Sequence, residues 1–196
     1  MNLPNKLTVM RMVLIPFMMF FYLATFIPHG IGKIVALVIF VVAALTDLLD
    51  GKIARKYNLV TNLGKFLDPI ADKILTAAAL FMVMADGTIP APYGVIVVTI
   101  IIAREFMVSA LRLIAASGGT VLAADIWGKA KTMVQMIALP ILLLVPFLIE
   151  LGGVAGWLIL TVKIVGWSAL GVATLLTIIS GANYLIKNRH CFKDSK

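Results

Sequence analysis

Four carboxylates carry the chemistry that this sequence offers first. Asp47, Asp50, Asp68 and Asp72 lie in one short window of a chain that has only nine acidic residues. Strongly apolar runs flank the window on both sides. An Asp at the centre of a bilayer costs roughly 3 kcal/mol, so four together require a compensating partner. Divalent cations are hard, oxygen-seeking ions and answer that need. The spacing supports the idea. Asp47 and Asp50 are an i, i+3 pair and Asp68 and Asp72 an i, i+4 pair, so each pair shares one face of a helix. Asn58, Asn62 and Gly64 between them favour a turn. A helical hairpin would bring the two pairs around one or two metal ions. Gly51 leaves room for a ligand beside the backbone, and Arg55 is a planar donor suited to phosphate.

The elements that must position these side chains are membrane helices. The chain has 196 residues, 62% of them apolar, and a mean hydropathy of +1.07, far above a soluble domain. Runs of about twenty apolar residues indicate transmembrane helices. The expectation is an all-α, polytopic membrane protein, a single domain over 1–196. The segment Met1 to Arg11 reads as a short interfacial helix. Six spans follow it: a retained first helix up to Pro28, then about Ile31 to the Asp47 motif, Lys65–Ala85, Tyr93–Ala116, Gly128–Ile149 and Ala155–Ile186. Pro140 and Pro146 are expected to kink the fifth. No sequence repeat is evident.

The net charge is +8. The basic residues fall between apolar runs, which favours topology and anionic ligands over nucleic acid. Lys6, Arg11, Lys52, Arg55, Lys56, Lys65, Arg104, Arg112, Lys129, Lys131 and the basic tail group on one side, against little more than Lys33, Asp86 and Glu150 on the other. Six spans and this bias put both termini and the Asp cluster at the cytoplasmic face of the cell membrane. The single Cys191 excludes an intramolecular disulfide framework, and with His190 it reads as ordinary basic tail. Trp157 and Trp167 fit either interfacial anchoring or packing. Glu105 and Asp125 read as partners of neighbouring Arg or Lys. A cation-coupled transporter is the rival reading from a different class, since acids on broken membrane helices also mark such proteins.

The acidic window matches D-x2-D-G-x2-A-R-x8-G-x3-D-x3-D at every fixed position, through Asp47, Asp50, Gly51, Ala54, Arg55, Gly64, Asp68 and Asp72. In this it resembles the CDP-alcohol phosphotransferase family, integral membrane enzymes of phospholipid synthesis. Leu3-Pro-Asn5-Lys-Leu-Thr8-Val-Met-Arg11, Arg104-Glu105, Ser109-Ala-Leu-Arg112 and Gly128-Lys129-Ala-Lys131-Thr132 resemble the branch that uses glycerol 3-phosphate as acceptor. The resemblance implies that CDP-diacylglycerol donates its phosphatidyl group to glycerol 3-phosphate, giving phosphatidylglycerol phosphate and CMP. Serine, inositol phosphate and phosphatidylglycerol are the alternative acceptors. It implies Asp47, Asp50 and Asp68 as metal ligands, and Asp72 as general base and further ligand, around Mg2+ or Mn2+ ions, two in number. Asn5, Thr8, Gly51, Arg55 and Thr61 resemble positions that hold the nucleotide. The acceptor phosphate needs cations of its own, for which Arg104, Arg112, Lys129 and Lys131 are the candidates; Lys131 and Gln135 share a helix face. A homodimer is implied by the resemblance alone.

Overall fold

The computed structural model describes residues 3–27, 30–56, 62–117 and 125–187, and within these no side chain at 3, 4, 48–56, 62, 63, 65, 66, 114, 116 or 117. Asp50, Gly51 and Arg55 therefore have described backbone only, and Thr61, His190 and Cys191 lie outside the described residues. The described chain is all helical: α1 Leu3–Leu23, α2 Ile31–Lys56, α3 Asn62–Ala85, α4 Ala91–Ser117, α5 Ile126–Leu151 and α6 Gly156–Lys187. These are the expected elements, with ends moved by a few residues. Among the described residues, four of them, over Asn5–Leu23, Ala91–Leu113, Ile126–Leu151 and Gly156–Lys187, are long and apolar enough to cross a membrane. The other two, α2 and α3, carry the acidic motif at their adjoining ends. They pack in the same bundle, against α1 and α5.

One expectation is corrected. The N-terminal segment is not a separate interfacial helix, because α1 runs unbroken from Leu3 to Leu23. The reason is its buried face. Asn5, Thr8, Arg11, Ile15, Met18 and Tyr22 are all buried, and steps of three and four place them along one side of a continuous helix. That face packs on α2 and α3. The opposite side, with Val13, Phe17 and Phe20, is exposed, as expected of a helix facing lipid. Likewise α5 continues through Pro140 and Pro146. Each proline removes one backbone donor, and α5 lies deep enough among α2, α3 and α6 for packing to hold it.

The apolar core occupies the middle of the bundle, around Phe40, Leu75, Leu139 and Leu142. Small residues let helices approach closely there. A Cβ on Gly166 would stand 2.7 Å from Cδ2 of Leu142, and one on Gly32 2.3 Å from the carbonyl oxygen of Phe21. Such contacts suit helix packing in lipid, where close van der Waals fit replaces the hydrophobic drive.

Polar contacts gather at the two ends of the bundle. At the end away from the acidic motif, the buried Tyr22 hydroxyl donates to Asp86. The other Asp86 oxygen accepts the Thr88 N–H at 2.8 Å, and the Thr88 carbonyl accepts the Trp167 indole N–H at 2.9 Å. Lys33 lies 4.1 Å from the Tyr22 ring centre. One chain of contacts thus ties α1, α2, the α3–α4 turn and α6, and gives Trp167 a bonding role. Tyr22→Phe keeps the ring and removes the hydroxyl. It should cost about 1 kcal/mol and lower the thermal midpoint in detergent by about 2–4 °C.

Candidate active site

The first group at the motif end is the polar part of the α1 face. Arg11 is fully buried and pairs with Asp47 on α2. Thr8, also fully buried, donates to Asp68 on α3. A guanidinium inside an apolar bundle is stable only when paired, and here the pairing draws three helices together. The linear sequence places Arg11 only among the basic residues of the motif side. The steps from Asn5 through Thr8 to Arg11 were the available signal, because they put three polar groups on the face that α1 buries.

A cavity of about 710 Å³ opens beside this cluster. Asp47 from α2 and Asp72 from α3 line one part of it, together with Lys73. Arg104 and Arg112 from α4 and Lys129 and Lys131 from α5 line it as well. All four cations proposed from the sequence thus reach one space, shared with two of the four carboxylates. Helical periodicity explains how. On α4 the lining positions step from 104 to 108 to 112, and on α5 from 129 through 132 and 136 to 140, each series one face of a helix. Both lining faces change character along their length. Asp47 gives way to Leu45, Ala44 and Phe40 on α2, and Lys129 to Met133, Met136 and Ile137 on α5. The cavity is polar at one end and apolar at the other.

The cations are not equivalent. Lys131 is almost wholly buried and paired with Glu105, so its charge is already balanced inside the protein. Arg112 and Lys129 are exposed, and Arg104 is partly buried. Asp125, just before α5, lines the cavity as well and stands 3.5 Å from Lys187. Both acids thus pair with basic residues, as the sequence suggested. Gln135 is buried one turn beyond Lys131 and does not line the cavity.

Other proposed site residues are placed differently. Asn5 and Thr8 are buried, and neither lines the cavity. Asp68 does not line it either, and its carboxylate accepts from Thr8. Among the described residues, no group of three Asp, Glu, His or Cys side chains could hold a metal ion. Asp47 and Asp68 are instead satisfied by donors from α1, and the Asp50 side chain lies outside the described residues. The donor set is still all-carboxylate oxygen, two of its members share the cavity wall, and that chemistry fits a hard divalent cation.

Known proteins are similar to this chain over nearly its whole length. The family model for CDP-alcohol phosphatidyltransferase matches residues 1–179. A CDP-diacylglycerol–glycerol-3-phosphate 3-phosphatidyltransferase of Bacillus subtilis is 41% identical over 207 residues, covering 99% of this chain and 98% of the relative. Enzymes of the same name from Rickettsia felis, 40% identical over 93% of both chains, and Sodalis glossinidius, 39% identical over 96% of both, are similar along nearly their whole length. The acidic signature, the cavity that Asp47 and Asp72 line and a family match over most of the sequence converge: the chain belongs to the CDP-alcohol phosphatidyltransferase family.

Proposed function

We propose that this protein transfers the phosphatidyl group of CDP-diacylglycerol to glycerol 3-phosphate, releasing CMP and forming phosphatidylglycerol phosphate. The observation that carries the reading is a cavity that brings together carboxylates of α2 and α3, cations of α4 and α5 and an apolar extension between α2 and α5. A liponucleotide needs all three: a place for a charged pyrophosphate, a place for acyl chains, and a separate anion site for the second substrate. The names of the similar enzymes point to the same pair of substrates.

In this mechanism Asp72 accepts the proton of the acceptor hydroxyl as its oxygen bonds to the diacylglycerol-linked phosphorus. The bond from that phosphorus to the bridging oxygen breaks, and CMP leaves with the electron pair. Asp47, Asp50, Asp68 and Asp72 would hold one or two divalent ions, Mg2+ or Mn2+, which when bound neutralise pyrophosphate charge. Arg11 holds Asp47, and Thr8 holds Asp68, in fixed orientations. Asn5, Thr8, Gly51, Arg55 and Thr61 take the nucleotide. Arg104, Arg112 and Lys129 bind the acceptor phosphate; Arg offers a forked pair of donors and Lys a point charge. Lys131, balanced by Glu105, supports them from the protein side. Phe40, Met136 and Ile137 border the acyl chains and keep water from the lipid end.

The excess of basic residues at the motif end supports a site at the cytoplasmic face of the cell membrane; a homodimer as the working assembly rests on the family resemblance alone. Three results test the reading. Purified protein given CDP-diacylglycerol should release CMP with glycerol 3-phosphate and not with serine, inositol phosphate or phosphatidylglycerol; CMP with serine alone would overturn the acceptor. Asp72→Asn should lower CMP release by about 100-fold or more while binding of CDP-diacylglycerol, followed by isothermal titration, persists. A chelator should abolish turnover, and added Mg2+ or Mn2+ should restore it; full activity in chelator would sink the metal assignment.

A further inference from the structure

Helix α6 supplies none of the described residues that line the cavity. Its last turns nevertheless touch three of the charged residues that do. Gly181, Tyr184 and Lys187 are spaced i, i+3, i+6 and share one face. Each meets a different partner: Arg104, Arg112 and Asp125. We infer that this face of α6 positions the acceptor-binding cations, and that Gly181 and Tyr184 set the affinity for glycerol 3-phosphate without touching it. The inference rests on the acceptor site proposed above.

The contact at Gly181 is one of space. A Cβ there would stand 3.2 Å from Cγ of Arg104 and 3.6 Å from Cε of Met107. On the far side, a Cβ on Gly128 of α5 would stand 3.1 Å from Nη2 of the same arginine. The Arg104 side chain therefore threads between two bare stretches of backbone. Its stem is fixed at Gly181 and its head at Gly128. Any side chain at 181 pushes on the stem, which lacks the freedom of a flexible tip.

The contact at Tyr184 is one of bonding. Arg112 Nε donates to the Tyr184 hydroxyl at 3.4 Å, with the guanidinium carbon 5.7 Å from the ring centre. Tyr184 is buried and packs with Val108 and Leu111 of α4, so it is a rigid post. Engaging Nε orients the terminal nitrogens, the fork that grips phosphate. Lys187 is largely exposed, so its pairing with Asp125 is the weakest of the three contacts.

The test measures KM for each substrate separately, on the full-length enzyme in detergent, with CMP release as readout. Tyr184→Phe should raise KM for glycerol 3-phosphate about fivefold, the usual worth of one hydrogen bond. Gly181→Val should raise it by about tenfold. In both, KM for CDP-diacylglycerol and kcat should stay near wild type. Gly171→Val is the control: it lies on the same helix, a Cβ there meets nothing within 4 Å, and KM should not move. Arg104→Ala is the benchmark. If Arg104→Ala leaves KM for glycerol 3-phosphate unchanged, the acceptor site itself is misassigned. If Arg104→Ala raises it while Tyr184→Phe and Gly181→Val only lower the thermal midpoint, α6 is merely structural and the inference fails. Should Gly181→Val not fold, Gly181→Ala and Tyr184→Phe decide the matter.

Discussion

Charge buried in an apolar bundle is the constraint around which this protein is arranged. Arg11 has no exposed surface, and it survives there because Asp47 neutralises it and gives it a hydrogen-bond acceptor. Lys131 and Glu105 repeat the solution between α5 and α4. Breaking such a pair leaves an uncompensated buried charge, which is far more costly than losing a surface contact. The two pairs therefore bind α1 to α2 and α5 to α4 at that end. One orients a carboxylate of the signature, and the other balances a cation that lines the same cavity.

That constraint also explains why the polar groups sit where they do along the helices. Between the Thr8 and Arg11 level of α1 and the Tyr22 level, the buried face is apolar, with Ile15 and Met18. Among the described residues, polar side-chain contacts between helices gather at the two ends, where water and lipid headgroups are within reach. The buried Thr174 and Thr177 instead donate within α6. The motif end is open and holds the cavity. The other end is closed by the chain of bonds from Tyr22 through Asp86 and Thr88 to Trp167. A bundle held at its closed end can keep an open, charge-lined cavity at the other without collapsing onto it.

The cavity's gradient from polar to apolar follows from the same layout. A helix entering the membrane changes composition along its own axis, so one lining face carries Lys129 near its start and Ile137 two turns further on. Two such faces, α2 and α5, side by side make a groove that is amphipathic along its length. An amphipathic substrate needs no separate pockets for head and tail.

Much of this was legible in the linear order of residues. The helices, their approximate ends and the membrane class follow from composition and from the apolar runs, since an α-helix and a bilayer each impose a fixed length. The pairing of Asp47 with Asp50, or Arg104 with Val108 and Arg112 on one face, follows from helical periodicity. What the order of residues could not supply was which faces meet. Arg11 against Asp47 spans 36 positions, Tyr22 against Asp86 spans 64, and Arg112 against Tyr184 spans 72. Those contacts depend on the rotation and register of whole helices, set by packing at places such as Gly32 and Gly166. Local spacing determined what each helix presents; only the tertiary structure decided that α1 would neutralise the carboxylates and α6 would stand behind the arginines, because side chains far apart in sequence meet only once the helices have packed.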